Sequence, residues 1–113
     1  MQKFPKLVAI FSIVLTHLAI AAEPAVEISA PADGAKLSAM RQHIVEYNVT
    51  KGNGGDHIHL YVDGDEAALL RQTKGSYAIE YLAPGNHEIC IKLVNKNHTP
   101  IGVQRCIKVA VEK

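Results

Sequence analysis

From His57 to Asp63 polar and apolar positions alternate, with His57, His59 and Tyr61 set between Ile58, Leu60 and Val62. A period of two is the signature of a strand, whose successive side chains point to opposite faces. The same alternation runs through residues 87–94 and 103–111. Read along the whole chain, it predicts about seven short strands: 26–29, 42–50, 57–63, 67–72, 76–82, 87–94 and 103–111. Residues 66–71 also contain good helix formers, so the fourth segment has a helical alternative. Turn signals separate the segments: Pro31-Ala32-Asp33-Gly34, the glycine-rich stretch 51–55, Asp63-Gly64, Ala83-Pro84-Gly85-Asn86 and residues 95–102. Short strands at this spacing predict an all-β chain folded as a β-sandwich.

The segment from Tyr81 to Ile89 contains Leu82-Ala83-Pro84-Gly85-Asn86-His87. It resembles the E–F corner of fibronectin type III and related immunoglobulin-like domains, which carry Leu-x-Pro-Gly-x-x-Tyr there. His87 falls one place before that tyrosine position. The resemblance implies a single immunoglobulin-like, fibronectin type III-like sandwich in which strand 57–63 lies beside strand 87–94. Hydrophobic patterning pairs 87–94 with 103–111 as a hairpin and sets Cys90 opposite Cys106. Ile89, Ile91 and Leu93 then face the core with Val103, Ile107, Val109 and Val111. Arg105 is the one misfit on that side. Glu88, Cys90 and Lys92 face outward, as do His57, His59 and Tyr61 from the neighbouring strand, with Tyr61 near the cysteines and His57 near the 95–102 loop.

The chain opens with Lys3 and Lys6, an apolar run from Leu7 to Ile20, and small residues that allow cleavage after Ala21 or Ala22. Residues 1–22 are therefore expected to be a cleaved signal peptide and 23–113 the mature domain, periplasmic or secreted, with no membrane anchor after cleavage. Removing the two lysines moves the formal net charge from +1 to about −1. With no basic run and no tryptophan, nucleic acid is not an expected partner. An even cysteine count in an exported chain predicts a Cys90–Cys106 disulfide, with a thiolate pair for a soft metal as the alternative.

Loops at one pole of a sandwich are neighbours in space. His57 and His59 begin their strand at the pole where the 95–102 loop carries His98. Three neutral imidazoles, with Asp56 or water as a fourth ligand, suit a copper or zinc ion. Gly52, Gly54 and Gly55 leave the adjoining backbone free to adjust. The alternative is a set of ordinary polar residues on an exposed sheet face. A second, weaker metal candidate lies at the other pole, where Met40 offers a soft thioether near His43 and His87. His87 there also reads as a hydrogen-bonded corner residue. The acidic run Asp63-Gly64-Asp65-Glu66 invites calcium, but Asp-Gly is foremost a tight-turn signal.

No nucleophile stands beside a base and an orienting acid, and no phosphate-binding glycine loop leads into a helix. The chain is not expected to be an enzyme. Residues 55–64, the Leu82-x-Pro84-Gly85-x-His87-x-Ile89 stretch and Asn97-His98-Thr99-Pro100 together resemble small, mostly uncharacterised exported bacterial domains with a His-x-His-x-x-Val-Asp-Gly strand. That resemblance implies that His57, His59, His87 and His98 belong to one pattern, and it implies no activity. The expected function is a small exported metal-binding protein, copper before zinc, for storage, delivery or sensing. The alternative is a metal-free sandwich that recognises a protein partner in the cell envelope, or a glycan.

Overall fold

A computed structural model describes residues 22–113. The expected signal peptide therefore lies, except for Ala22, outside the described residues. Eight strands follow in order: β1 (Ala25–Ala30), β2 (Lys36–Ser38), β3 (Ile44–Thr50), β4 (His57–Val62), β5 (Asp65–Leu70), β6 (Lys74–Ala78), β7 (Gly85–Val94) and β8 (Pro100–Glu112). They form a three-stranded sheet, β1-β3-β6, and a five-stranded sheet, β2-β8-β7-β4-β5. This is an all-β sandwich, and among the described residues there is no helix.

The core lies between the sheets. Val45, Tyr47 and Val49 alternate inward from β3 and meet Leu60, Ile91 and Leu93 from the larger sheet, all of them buried. Ile79 and Leu82 belong to the same buried cluster. Cys90 pairs with Cys106 in the β7–β8 ladder, and on the other side of β7 His57 pairs with Val94, His59 with Lys92 and Tyr61 with Cys90. These are the predicted registers. A one-residue slip would turn every isoleucine of β7 to the outside, so burial of one face holds the register strongly. Cys90 and Cys106 form a disulfide, and the thiolate-pair alternative is set aside. Arg105 leaves the apolar face by reaching sideways, where its Nε–H donates to the Val26 carbonyl at 3.4 Å.

Several boundaries differ from expectation. β2 was not foreseen; only three residues long, it pairs in parallel with the end of β8, Leu37 opposite Val111. Such a strand is too short to show a period and exists only because β8 offers an edge. The helical alternative for 66–71 is not realised, because β4 supplies a hydrogen-bonding partner for that segment. Asp63 and Gly64 both have positive φ, 53° and 85°, as a two-residue hairpin turn requires. The acidic run is thus the β4–β5 turn. At the corner where β7 begins, His87 Nε2–H donates to the Ala83 carbonyl at 2.7 Å. Histidine here makes the backward bond that tyrosine makes in related sandwiches.

Candidate metal centre

Strand β4 is an inner strand of its sheet, bonded to β5 on one side and β7 on the other. His57 and His59 project from its outer face, where alternation alone predicts exposure. Both are nevertheless buried, at 2% and 5% exposure. The covering comes from the turn between β7 and β8, which brings the His98 ring to 4.7 Å from that of His57 and 5.4 Å from that of His59, centroid to centroid. Asn95 builds this turn. Its Oδ1 accepts from the Asn97 and Thr99 amides at 2.9 and 3.1 Å, and its backbone bonds to His98 and Thr99. His98 adopts a left-handed φ of 63°, a conformation that glycine or asparagine takes more readily.

One nitrogen from each ring meets at a common point. His57 Nε2 lies 3.0 Å from His59 Nε2 and 3.0 Å from His98 Nδ1, and His59 Nε2 lies 3.2 Å from His98 Nδ1. An ion placed at the usual imidazole distance of about 2.0–2.1 Å from all three would see angles of about 90–105°. Those angles lie between the tetragonal and tetrahedral ideals and leave a further coordination position open.

The far nitrogens decide the protonation. His57 Nδ1 is 2.8 Å from Asp56 Oδ2, and His59 Nδ1 is 3.1 Å from Glu66 Oε1. An ionised carboxylate only accepts, so His57 Nδ1 carries the hydrogen of that bond and its Nε2, when the ring is neutral, turns a bare lone pair to the centre; the Glu66 charge beside His59 Nδ1 favours the same tautomer there. Two lone pairs facing each other at 3.0 Å repel unless something positive lies between them. A proton satisfies one pair of nitrogens, whereas a metal cation satisfies all three. Burial also pushes the His59 pKa below the ordinary histidine value, against the opposing pull of the Glu66 charge, and so favours the neutral ring. The hydrogen bond from His57, helped by the nearby Arg71 and Lys96 charges, holds Asp56 below its usual carboxylate range.

The structure therefore brings together His57, His59 and His98 but gives Asp56 a different place from the one expected. Its carboxylate stands behind His57, bonded to the nitrogen turned away from the centre, and cannot also reach the shared point as a fourth ligand. Met40, His43 and His87 are engaged separately. Met40 is 80% exposed, His43 Nε2 bonds to the Ser38 carbonyl, and both His87 nitrogens bond to Asp63 and Ala83 oxygens. The second candidate site is not assembled.

Sequence reading missed Glu66 and Asn95. Glu66 reaches the outer face through a β-bulge. Ile58, His59 and Leu60 pair in step with Leu70, Leu69 and Ala68, but Tyr61 then pairs with Glu66, leaving Ala67 as the extra residue. Without that shift Glu66 would stand opposite Val62 on the inward face. The residual signal for Asn95 was an asparagine opening a turn, which is too common to single out.

No protein-family model matches the chain, and no curated protein sequence matches it. Solved structures do. The fibronectin(III)-like modules of Clostridium thermocellum CbhA superpose with a TM-score of 0.65 at 19% identity, covering 82% of this chain and 48% of that one. A lytic polysaccharide monooxygenase of Jonesia denitrificans superposes with a TM-score of 0.51 at 17% identity, over 73% of this chain and 60% of that one. The chain spans about half of the first structure and three fifths of the second. At such identities the likeness is one of fold, an immunoglobulin-like or fibronectin III-like sandwich, and it does not bear on the histidines.

Proposed function

We propose that His57, His59 and His98 hold one divalent transition-metal ion, copper in preference to zinc, in an exported domain that stores, delivers or senses it and catalyses no reaction. The observation that carries this is the pair of Nε2 atoms 3.0 Å apart, each turned toward the shared point while a carboxylate stands against Nδ1 on the opposite side of its ring. A carboxylate behind a ligating imidazole is the usual outer shell of a histidine metal site and makes the ring a better donor. Copper is preferred because a nitrogen site of given shape binds Cu(II) more tightly than Zn(II), and angles of about 90–105° exclude neither ion. The disulfide agrees with an oxidising compartment.

Titration of the mature, oxidised protein with Cu(II) and Zn(II) tests the proposal, beside a His57→Ala/His59→Ala variant. Expected are one ion per chain with sub-micromolar affinity in the wild type, Cu(II) displacing Zn(II), and loss of stoichiometric binding in the variant. Weak binding that is indifferent to the substitutions would leave a metal-free recognition module.

A further inference from the structure

We propose that His98 is the exchangeable ligand of this centre and that Asn95 is the positioning residue that sets how firmly it is held. The inference rests on the metal reading above and concerns how the ion enters and leaves.

The three rings are not equivalent. His57 and His59 belong to a strand bonded on both sides and both are buried; the second nitrogen of His57 is hydrogen-bonded to Asp56, and the Glu66 carboxylate lies 3.1 Å from that of His59. Withdrawing either from an ion means disturbing the five-stranded sheet. His98 stands outside the ladder, at a point where the β7–β8 register shifts between Lys92 and Val94 and resumes at Val94 opposite Pro100. It is exposed and held in a left-handed conformation. Its Nδ1 enters the cluster.

What restrains it converges on one residue. The Asn95 amide donates to the Thr99 carbonyl at 2.9 Å, its carbonyl accepts from His98 N–H at 3.0 Å, and its side chain takes the Asn97 and Thr99 amides. Loosening Asn95 frees His98 while β4 stays in place. An incoming donor from an acceptor can then replace His98 first, while His57 and His59 keep hold of the ion. Exchange by this route is associative, and its rate rises with acceptor concentration.

Four forms of the mature, oxidised chain decide the matter: wild type, His98→Asn, Asn95→Ala and Asn95→Asp. Asparagine at position 98 tolerates the left-handed backbone, and aspartate at 95 retains a side-chain acceptor. Each is loaded with one equivalent of Cu(II). Affinity is read by chelator competition, transfer by stopped-flow capture with a chromophoric chelator, and the number of bound nitrogens by the hyperfine splitting of the Cu(II) electron-spin resonance. His98→Asn is expected to bind one ion through two imidazoles, about 100-fold more weakly, and to release it faster. Asn95→Ala is expected to lose about tenfold in affinity and to transfer faster, with Asn95→Asp restoring wild-type rates and a three-nitrogen signal. If His98→Asn loses the ion as completely as the His57→Ala/His59→Ala variant, or if His98→Asn and Asn95→Ala transfer at the wild-type rate, the inference is overturned. Failure of the wild type to bind any ion stoichiometrically shows before any variant is compared. It is the failure of the metal reading itself and takes this inference with it.

Discussion

Both nitrogens of His87 face oxygens that only accept, the Asp63 carboxylate and the Ala83 carbonyl. Two acceptors call for two N–H donors, so the ring is an imidazolium when both bonds are made. The Asp63 bond first and the Ala83 carbonyl second raise the His87 pKa above its ordinary value. Burial works to raise that of Asp63, but the His87 ring and the Glu88 amide outweigh it and the net shift is downward. The raised histidine contributes stability fully below about pH 6.5, lost as pH climbs through its folded value. The depressed carboxylate contributes above about pH 4, lost as pH falls through its folded value. The pair therefore stabilises most between those limits. In the presence of chelator, His87→Gln is expected to cost about 1 kcal/mol more in urea unfolding at pH 5.5 than at pH 9, a modest figure because Asp63 is half in solvent. An equal cost at both pH values would mean the corner bond carries no charge.

At the scale of the element, small irregularities aim the side chains of the centre. The bulge in β5 delivers Glu66 to His59, and Glu66→Ala is expected to weaken metal binding by about 10–100-fold, with Glu66→Gln closer to wild type because it keeps an oxygen acceptor. Competition titration reads both, and equal affinities in the three proteins would remove Glu66 from the centre. Gly55 shapes the turn into β4 for a reason of space. A Cβ there would come within 2.5 Å of the Lys51 carbonyl and 2.8 Å of Leu93. Gly55→Ala is accordingly expected to cost about 1–3 kcal/mol by overpacking, measured in the same unfolding assay. A neutral effect would show that the loop yields.

Over the whole molecule, a domain of this size buries a limited core and gains from a covalent link. The disulfide joins adjacent strands across a separation of 16 residues. Replacing both cysteines with alanine is expected to remove about 3 kcal/mol, largely by freeing the unfolded chain, and to leave the register unchanged. Urea unfolding beside a hydrogen-exchange map separates the two effects, and lost protection in β7 and β8 would mean the bond also holds the ladder. If the proposed ion binds, its presence at 100 times its dissociation constant is expected to add about 2.7 kcal/mol, comparable to the disulfide.

Alternation in β3, β4, β7 and β8 was enough to determine the inward and outward sets and the register that places Cys90 opposite Cys106, while the resemblance to immunoglobulin-like domains set β4 beside β7 and so His59 opposite Lys92. The sets and the hairpin register depend on a period of two and on one face being buried, which each strand carries locally. Pole geometry extended this to His98, since loops at one end of a sandwich must be near one another. Burial of His57 and His59, the retreat of Asp56 behind His57, the arrival of Glu66 and the part of Asn95 were decided only in three dimensions. Each turns on a single-residue shift, a bulge or a left-handed φ, worth about 1 kcal/mol locally and set by what packs against it. The sequence pattern could place three imidazoles at one pole; which nitrogen of each ring faces the centre is settled by the carboxylates and the turn that close around them.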